Sequence, residues 1–308
     1  MRILNQVNEK WSERLAAAVP DVEVTDVPQE GPLPEGLSGD VLFTWGFDNT
    51  VDVARQSGVP WVHFAGTGVD CQPIESLAAL GCTITCSRGV SGVPIAEFVM
   101  AAILAMEKRL PEVWVDEPAD RWGAEFRLGE LTGKVVGLVG MGGIGTEVAR
   151  RALAFDMEVV AARASGAASP VEGVRVTALD DVLATADHLV LAVPLTDATA
   201  GMIGVEALER VKPGVHLVNV SRGGLVDQEA LLAAVDDGRV AMATLDTVTP
   251  EPLPDGHPFY AHPRIRVSPH ISWSSPHANR RILAFFVDNL ERFRDGRTLR
   301  GVVGEGGY

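Results

Sequence analysis

The sequence predicts an α/β protein of two domains, each built on a sheet of parallel strands, with a cleft between the domains. Three observations lead to this prediction. The chain has 308 residues, which is long for one domain and comfortable for two. Short apolar runs alternate with segments of helical periodicity along most of the chain. A glycine pattern at Gly140, Gly142 and Gly145 follows one apolar run and opens a helical segment.

Composition and charge exclude several classes of protein. Hydrophobic residues make up 46% and charged residues 22% of the chain, which is typical of a globular protein. The formal net charge of −15 argues against binding to nucleic acid or to an anionic membrane surface. The N-terminus has no apolar signal core, and no apolar run approaches the length of about 18 residues that spans a membrane. We therefore expect a cytoplasmic protein.

The three cysteines, Cys71, Cys82 and Cys86, predict neither a disulfide framework nor a metal site. Their number is odd and low, which is typical of a reducing compartment. Cys82 and Cys86 are four residues apart, but no second His or Cys pair lies near them in the sequence. We expect no bound metal.

The first third of the chain reads as an alternation of strands and helices. Apolar runs predict strands at 22–24, 41–44, 61–64 and 83–85, and helical periodicity predicts helices at 8–19 and 74–80. Gly66, Thr67 and Gly68 follow the strand 61–64 directly, at a position where loops of parallel sheets hold ligands. Residues 94–109 are rich in helix formers and apolar nearly all round, which predicts a helix buried on most sides.

A second α/β series begins at Lys134. Apolar runs predict strands at 135–139, 158–161, 189–193, 215–220, 241–245 and 265–267. Helices are expected at 145–155, 227–237 and 280–294. No low-complexity linker separates the two series, so we expect ordered helices to join the domains and to act as hinges.

The glycine pattern predicts a dinucleotide-binding turn. Gly140 permits the tight turn, Gly142 allows the backbone to approach a pyrophosphate, and Gly145 allows the helix to pack closely on the strand. The N–H groups at the start of that helix, including those of Gly143 and Ile144, are then available to phosphate oxygens. A glycine-rich turn without a ligand is the alternative.

The residue after the second strand of the series bears on the choice of dinucleotide. An acidic side chain is usual there in NAD-binding domains, whereas this chain has Arg163, 18 residues after Gly145. An arginine favours a ribose 2′-phosphate, and Ser165 adds a hydroxyl donor. We therefore predict NADP(H) as the preferred cofactor. The alternative is a solvated Arg163 in a protein that also accepts NAD(H).

Three segments near the C-terminus carry candidate catalytic residues at predicted strand ends, where open α/β sheets form their crevice. Arg222 lies in LVNVSRGGLVD, Asp246 and Glu251 lie in TLDTVTPEPLP, and His270 lies in VSPHIS. Taken singly, His270 is better interpreted as a capping or core residue. Arg222 alone could be a partner of Asp227, and Glu251 alone could be one more acidic loop residue. Their joint occurrence in three such segments favours an active site.

Taken together, these motifs resemble the D-isomer-specific 2-hydroxyacid dehydrogenase family, in character most like its NADP-dependent glyoxylate/hydroxypyruvate reductases. The resemblance rests on AGTGVD at 65–70, EFV at 97–99, the glycine pattern, VPLTDAT at 193–199 and the three C-terminal segments, in the family's own order. The ordered set covers nearly the whole chain and is much more specific than any one motif.

The resemblance implies two Rossmann- or flavodoxin-like domains. Residues 1–95 with 283–308 would bind the substrate, and residues 96–282 would bind the dinucleotide. It also implies a homodimer formed through the dinucleotide domain, with 101–122 contributing.

The resemblance further implies residue roles. Arg222, Glu251 and His270 would be catalytic, with Arg222 binding the carboxylate and ketone of a 2-oxo acid and His270 giving a proton to the oxygen. The remaining expected cofactor contacts are Val193, Pro194, Thr199, Val220, Ser221, Asp246 and His270. The expected substrate contacts are Gly66, Thr67, Gly68, Arg222, His270 and Trp273.

The expected reaction is reduction of a small 2-oxo acid to the D-2-hydroxy acid by hydride transfer from NAD(P)H. Two alternatives stay open. One is formate or phosphite oxidation on the same scaffold. The other is a dinucleotide-sensing binding protein, like the transcriptional co-repressors built on this fold.

Overall fold

The structure, a computed structural model, describes residues 1–114 and 127–304. It divides into two compact units, Met1–Val90 with Ser275–Tyr308, and Ser91–Ser274. The domain boundaries expected from the sequence, at 95/96 and 282/283, stay a prediction. Of the expected dimer segment 101–122, residues 115–122 lie outside the described residues.

The first unit contains a parallel sheet of five strands in the order β2-β1-β3-β4-β5. The strands are β1 Arg2–Asn5, β2 Glu23–Asp26, β3 Val41–Thr44, β4 Trp61–Phe64 and β5 Thr83–Cys86. The helices of this unit are α1 Glu9–Ala18, α2 Thr50–Ser57, α3 Ile74–Ala79 and α11 Ala278–Arg294, with labels that follow the chain.

Alternation along these strands explains the two apolar layers of the first unit. Side chains of successive strand residues point to opposite faces of a sheet. Trp61 accordingly packs in a cluster with Phe286 of α11, whereas Val62 and Phe64 belong to the cluster that contains Leu77 of α3. Both faces of the central strands are therefore covered, as parallel sheets require.

The second unit contains a parallel sheet of seven strands in the order β12-β11-β10-β9-β6-β7-β8. The strands are β6 Val135–Val139, β7 Glu158–Ala162, β8 Val174–Val176, β9 His188–Leu191, β10 Val215–Asn219, β11 Val240–Leu245 and β12 Ile265–Val267. The helices are α4 Gly92–Glu107, α5 Leu110–Val113, α6 Gly143–Ala154, α7 Leu179–Thr185, α8 Val205–Arg210, α9 Gln228–Asp236 and α10 Pro258–Ala261.

The order of this sheet creates a switch point between β6 and β9. The chain runs outward from β6 to β8 on one side and then returns to β9 on the other side. Ligands bind in open α/β sheets at the carboxyl ends of strands beside such a point. Val139 and Leu191 are paired at this edge, so the segments that follow β6 and β9 start side by side.

Helix α4 packs closely on α6, which accounts for its apolar character on most sides. A Cβ atom added to Gly92 would come within 2.9 Å of the carbonyl oxygen of Gly143, so only glycine permits this approach. Most of the apolar side chains of α4 are buried. The contact places α4 against the helix that begins at the glycine turn.

The predicted α/β class with two parallel sheets is confirmed. Two strands, β1 and β8, were not predicted from the sequence. Within residues 1–114 and 127–304, no helix is both long and apolar enough to cross a membrane. The same ranges contain no group of three or more His, Cys, Asp or Glu side chains arranged to hold a metal ion.

Candidate active site

The turn after β6 leaves no room for side chains at two of the three glycines of the pattern. Gly140 has φ +104°, and a Cβ atom there would lie 2.5 Å from the carbonyl oxygen of Ala192. A Cβ atom on Gly145 would lie 2.2 Å from the carbonyl oxygen of Gly140. Both positions require glycine because the turn, the helix and the neighbouring strand end approach so closely.

Gly142, by contrast, faces open space. A Cβ atom on it would meet nothing within 4 Å, and its φ of −78° is accessible to any residue. Gly142 is the N-cap of α6, and the hydrogen bond from Thr146 N to its carbonyl oxygen begins the helix. The N–H groups of Gly143 and Ile144 therefore precede the first intrahelical donor. An open space before uncapped N–H groups fits the pyrophosphate of a dinucleotide.

Arg163 and Ser165 lie in the loop that follows β7. The Arg163 Nη1 donates to the carbonyl oxygen of Ala167 at 3.1 Å and also to that of Ala168. Ser165 Oγ accepts from Ala167 N at 3.4 Å. The guanidinium is thus held within its own loop. This loop follows β7, the strand end at which we expect the ribose of the dinucleotide to bind.

Four of the expected cofactor contacts are linked by hydrogen bonds at the ends of β9 and β10. Thr199 Oγ1 donates to the carbonyl oxygen of Pro194 at 2.7 Å, and Ser221 Oγ donates to that of Val193. Val220, between β10 and Ser221, is buried. The structure therefore brings Val193, Pro194, Thr199 and Ser221 together at the carboxyl edge of the sheet.

Asn219 shapes the turn that carries Arg222. Its Nδ2 donates to the carbonyl oxygen of Arg222 at 2.8 Å, and its Oδ1 accepts from Ser221 N at 3.1 Å. Arg222 Nη1 donates to the carbonyl oxygen of Ser221 at 2.8 Å. Asn219 was not among the predicted site residues, although an amide at the end of a buried strand was the available signal.

Asp246 anchors the loop that carries His270. It is 1% exposed and accepts hydrogen bonds from Ser268 Oγ at 2.6 Å, Ile271 N at 3.0 Å and Ser272 N at 2.9 Å. Both carboxylate oxygens are therefore engaged by residues that flank His270. These hydrogen bonds give Asp246 a structural role, and its expected contact with the cofactor stays a prediction.

Glu251 and His270 form a hydrogen-bonded pair. The Nδ1 atom of His270 lies 2.9 Å from Oε2 of Glu251, and the side chains are 38% and 39% exposed. Glu251 Oε1 also accepts from Val248 N at 3.2 Å, which fixes the carboxylate. Because a carboxylate can only accept, Nδ1 carries the donated proton and Nε2 remains for a substrate.

The backbone around His270 is in the left-handed region, with φ +50°. A histidine in that region carries a conformational cost and is held there by its surroundings. Trp273 Nε1 donates to the carbonyl oxygen of His270 at 2.9 Å. A pocket of about 450 Å³ adjoins the pair and is lined among others by Leu253, Tyr260 and Val267.

In the first unit, Ser87 holds the loop Gly66, Thr67 and Gly68. Thr67 Oγ1 donates to the carbonyl oxygen of Ser87 at 3.0 Å. Ser87 N donates in turn to the carbonyl oxygens of Phe64 and Gly66, at 3.1 and 3.0 Å. The loop is therefore fixed from β5, which runs beside the strand that precedes it. Ser87 was not predicted as a site residue.

Comparison with known proteins identifies the family of this chain. Residues 100–272 match the family described as D-isomer specific 2-hydroxyacid dehydrogenase, NAD binding domain. The chain belongs to the D-isomer-specific 2-hydroxyacid dehydrogenase family, which confirms the family predicted from its motifs.

Two enzymes are among the proteins similar to this chain. The chain is 32% identical to a glyoxylate reductase from Aeropyrum pernix, across 92% of this chain and 89% of that enzyme. It is 31% identical to a D-3-phosphoglycerate dehydrogenase from Mycobacterium bovis, across 98% of this chain and 56% of that enzyme. The chain thus spans about half the length of the phosphoglycerate dehydrogenases it matches.

A solved structure with a similar fold contains a bound cofactor. It is the NADPH-dependent glyoxylate/hydroxypyruvate reductase from Sinorhizobium meliloti, in complex with NADP and sulfate. The TM-score is 0.84 at 25% identity, and the match covers 100% of this chain and 99% of the other.

Proposed function

We propose that this protein reduces a small 2-oxo acid of the glyoxylate or hydroxypyruvate kind to the D-2-hydroxy acid. The observation that carries the proposal is the 2.9 Å hydrogen bond between His270 Nδ1 and Glu251 Oε2. A histidine ring oriented by a carboxylate suits general acid–base chemistry at a carbonyl oxygen. The glyoxylate reductase from Aeropyrum pernix and the reductase structure from Sinorhizobium meliloti support this substrate class.

The dinucleotide, when bound, supplies the hydride that reaches the carbonyl carbon of the substrate. His270 gives the proton at Nε2 to the carbonyl oxygen, which becomes the hydroxyl oxygen of the product. Glu251 orients the ring through Nδ1 and stabilises its charged form. In the reverse direction, Nε2 accepts the proton of the hydroxyl group.

Two further groups recognise the substrate in this proposal. The guanidinium of Arg222 binds the carboxylate and the ketone oxygen through its planar fork of donors. The N–H groups of Gly66, Thr67 and Gly68 bind the carboxylate, as a nest of backbone donors does for an anion. Trp273 contributes to the substrate site through its contact with His270.

We also propose NADP(H) as the preferred cofactor and NAD(H) as a weaker one. Gly140, Gly142, Gly143, Ile144 and Gly145 would form the pyrophosphate site. The Arg163 guanidinium, with Ser165 beside it, would bind the 2′-phosphate. The structural relative with bound NADP supports this preference.

We also propose a role for each of the two units and a dimeric assembly. The first unit would bind the substrate, the second unit would bind the dinucleotide, and the second unit would form a homodimer. Sedimentation of the purified protein tests the dimer.

Cofactor-linked turnover tests the reaction. We expect NADPH oxidation with glyoxylate and hydroxypyruvate, and no reduction of NADP⁺ by formate or phosphite. His270→Ala is expected to lose most turnover while NADPH still binds, because His270 acts on the substrate's oxygen. Wild-type turnover in His270→Ala would remove His270 from the mechanism. Dinucleotide binding without turnover on any 2-oxo acid would favour a sensing protein instead.

A further inference from the structure

A histidine lies fully buried in the apolar core of the first unit. His63 in β4 is 0% exposed and packs among aromatic rings. Its ring stacks on Phe43 with centroids 5.9 Å apart and an interplanar angle of 6°, and the Phe286 ring centroid lies 5.0 Å away. Burying a polar ring in such a place is costly unless its nitrogen atoms are paired. A stable His63 at this position therefore requires a hydrogen-bond partner for each ring nitrogen atom.

Both ring nitrogen atoms of His63 have hydroxyl partners, one on β5 and one just after it. Nδ1 lies 2.7 Å from Thr85 Oγ1, and Nε2 lies 3.1 Å from Ser87 Oγ. Thr85 Oγ1 also accepts from Trp61 Nε1 at 2.8 Å, which leaves its own proton for Nδ1. The Nε2–H group is then the donor to Ser87 Oγ. Burial lowers the pKa of His63 to about 3, which keeps the ring neutral and this pattern intact.

The hydrogen bonds continue from Ser87 to the loop that follows β4. Ser87 N reaches the carbonyl oxygens of Phe64 and Gly66, and the carbonyl oxygen of Ser87 accepts from Thr67 Oγ1. The buried network therefore runs from the sheet core through His63 and Ser87 to Gly66 and Thr67. A buried network whose members are all paired makes the backbone around it more rigid.

We propose that His63 is a positioning residue that acts through Ser87 to hold the N–H groups of the Gly66, Thr67 and Gly68 loop in the geometry that binds a carboxylate. This inference rests on the proposed function, which gives that loop its anion. The ring itself touches neither substrate nor cofactor. An apolar residue of similar size would fill the space and would leave the Ser87 hydroxyl without its donor.

Three substitutions separate positioning from packing. His63→Leu removes both hydrogen bonds, whereas His63→Gln keeps an amide that reaches toward Ser87. Phe43→Leu is the matched control because it removes a ring that stacks on His63 but none of the hydrogen bonds of the network. Ser87→Ala provides a second route if His63→Leu does not fold, since it removes the same hydroxyl contact and retains the backbone hydrogen bonds.

We expect His63→Leu and Ser87→Ala to raise KM for glyoxylate about tenfold while kcat falls less than about threefold, the size of a weakened charge-assisted hydrogen bond. The Kd for NADPH should equal the wild-type value. His63→Gln should recover most of the change, and Phe43→Leu should leave KM at the wild-type value. A KM in His63→Leu equal to that in Phe43→Leu would overturn the proposal.

Amide hydrogen exchange provides a readout that does not need turnover. Backbone amides of residues 66–69 should exchange faster in His63→Leu than in Phe43→Leu, because only the first variant frees the loop. If the wild-type protein reduces no 2-oxo acid, the proposed function fails while this measurement still tests positioning. Unchanged exchange at 66–69 in His63→Leu would overturn the positioning role, whatever the activity.

Discussion

The indole Nε1–H of Trp273 donates a hydrogen bond of 2.9 Å to the carbonyl oxygen of His270. His270 has φ +50°, a backbone conformation that costs a non-glycine residue about 1 kcal/mol. The Asp246 carboxylate accepts from the next two N–H groups, those of Ile271 and Ser272. Trp273 and Asp246 therefore hold both polar groups of the peptide that follows His270, the carbonyl oxygen of His270 and the N–H group of Ile271.

Removing the indole donor should disturb the position of His270. We expect Trp273→Phe to lower kcat about tenfold. The carbonyl oxygen of His270 loses its hydrogen-bond donor, and the imidazole of His270 is then less firmly positioned. The Kd for NADPH should change little. Trp114→Phe, at another exposed tryptophan of the same unit, is the control and should keep wild-type kcat. Equal kcat values in the two variants would rule out this role for Trp273.

The carboxylate of Glu251 should matter more for rate than for binding. Glu251→Gln retains an oxygen that can accept from His270 Nδ1 but cannot stabilise a charged ring. We expect kcat for glyoxylate reduction to fall about 100-fold, with NADPH affinity preserved. The matched control is Asp255→Asn, an exposed acid of the same loop, which should behave as wild type. Steady-state kinetics across pH checks the result, and a Glu251→Gln profile that overlays the wild type would contradict it.

Alanine substitutions at two glycines of the turn after β6 should affect different properties, NADPH affinity in one case and thermal stability in the other. Gly142→Ala puts its methyl group into open space, so the melting temperature should stay within about 2 °C of wild type while NADPH affinity falls at least about tenfold. Gly145→Ala places a methyl group 2.2 Å from the carbonyl oxygen of Gly140 and should lower the melting temperature. Thermal melts and NADPH titration measure both. Undiminished NADPH binding by Gly142→Ala would place the pyrophosphate elsewhere.

Arg163 should determine the preference between the two dinucleotides. We expect Arg163→Ala to raise KM for NADPH about tenfold and to leave KM for NADH unchanged, because only NADPH carries the 2′-phosphate. Arg175→Ala on β8 is the control, as it removes an exposed guanidinium from the same unit. Loss of affinity for both dinucleotides in Arg163→Ala would instead mean that the side chain supports the loop 163–168.

The strands that the sequence predicted best are those buried on both faces. β3, β4 and β6 are largely apolar and almost fully buried, the composition that parallel strands covered on both faces require. β8 was missed because only Val174 and Val176 flank an exposed arginine, a pattern too short to distinguish from a loop. β1 contributes two apolar residues, Ile3 and Leu4, before the buried polar Asn5.

The residues of the candidate site that belong to sequence motifs were predicted. The residues that only hold those motifs in place were not. Glu251 and His270 were both predicted as catalytic residues from the family resemblance, and their side chains form a hydrogen bond. His63, Ser87 and Asn219 were missed because a polar residue inside an apolar run does not reveal its partner. The His63 and Ser87 side chains meet because β4 pairs with β5, in a register that sets His63 beside Thr85, and Ser87 directly follows β5; this pairing is tertiary information.

Acid should destabilise the folded protein through its buried histidines. Burial lowers the pKa of His63 from 6.5 to about 3, and burial with the charges of His188 and Arg266 lowers the pKa of His216. Below pH 6.5 an unfolded imidazole takes up a proton that the folded ring refuses, so the free energy of unfolding falls as pH falls. Each such histidine contributes a slope of about 1.4 kcal/mol per pH unit once the unfolded ring is fully protonated.

Comparison of slopes isolates the contribution of His63 from other acid effects. Between about pH 4.5 and 5.5, the free energy of unfolding of His63→Gln should depend less steeply on pH, by about 1.4 kcal/mol per pH unit. Phe43→Leu, which alters the same aromatic cluster but removes no titratable group, should keep the wild-type slope. Urea titrations at several pH values give the slopes. Parallel wild-type and His63→Gln lines would mean that the buried ring takes up its proton as readily as the unfolded one.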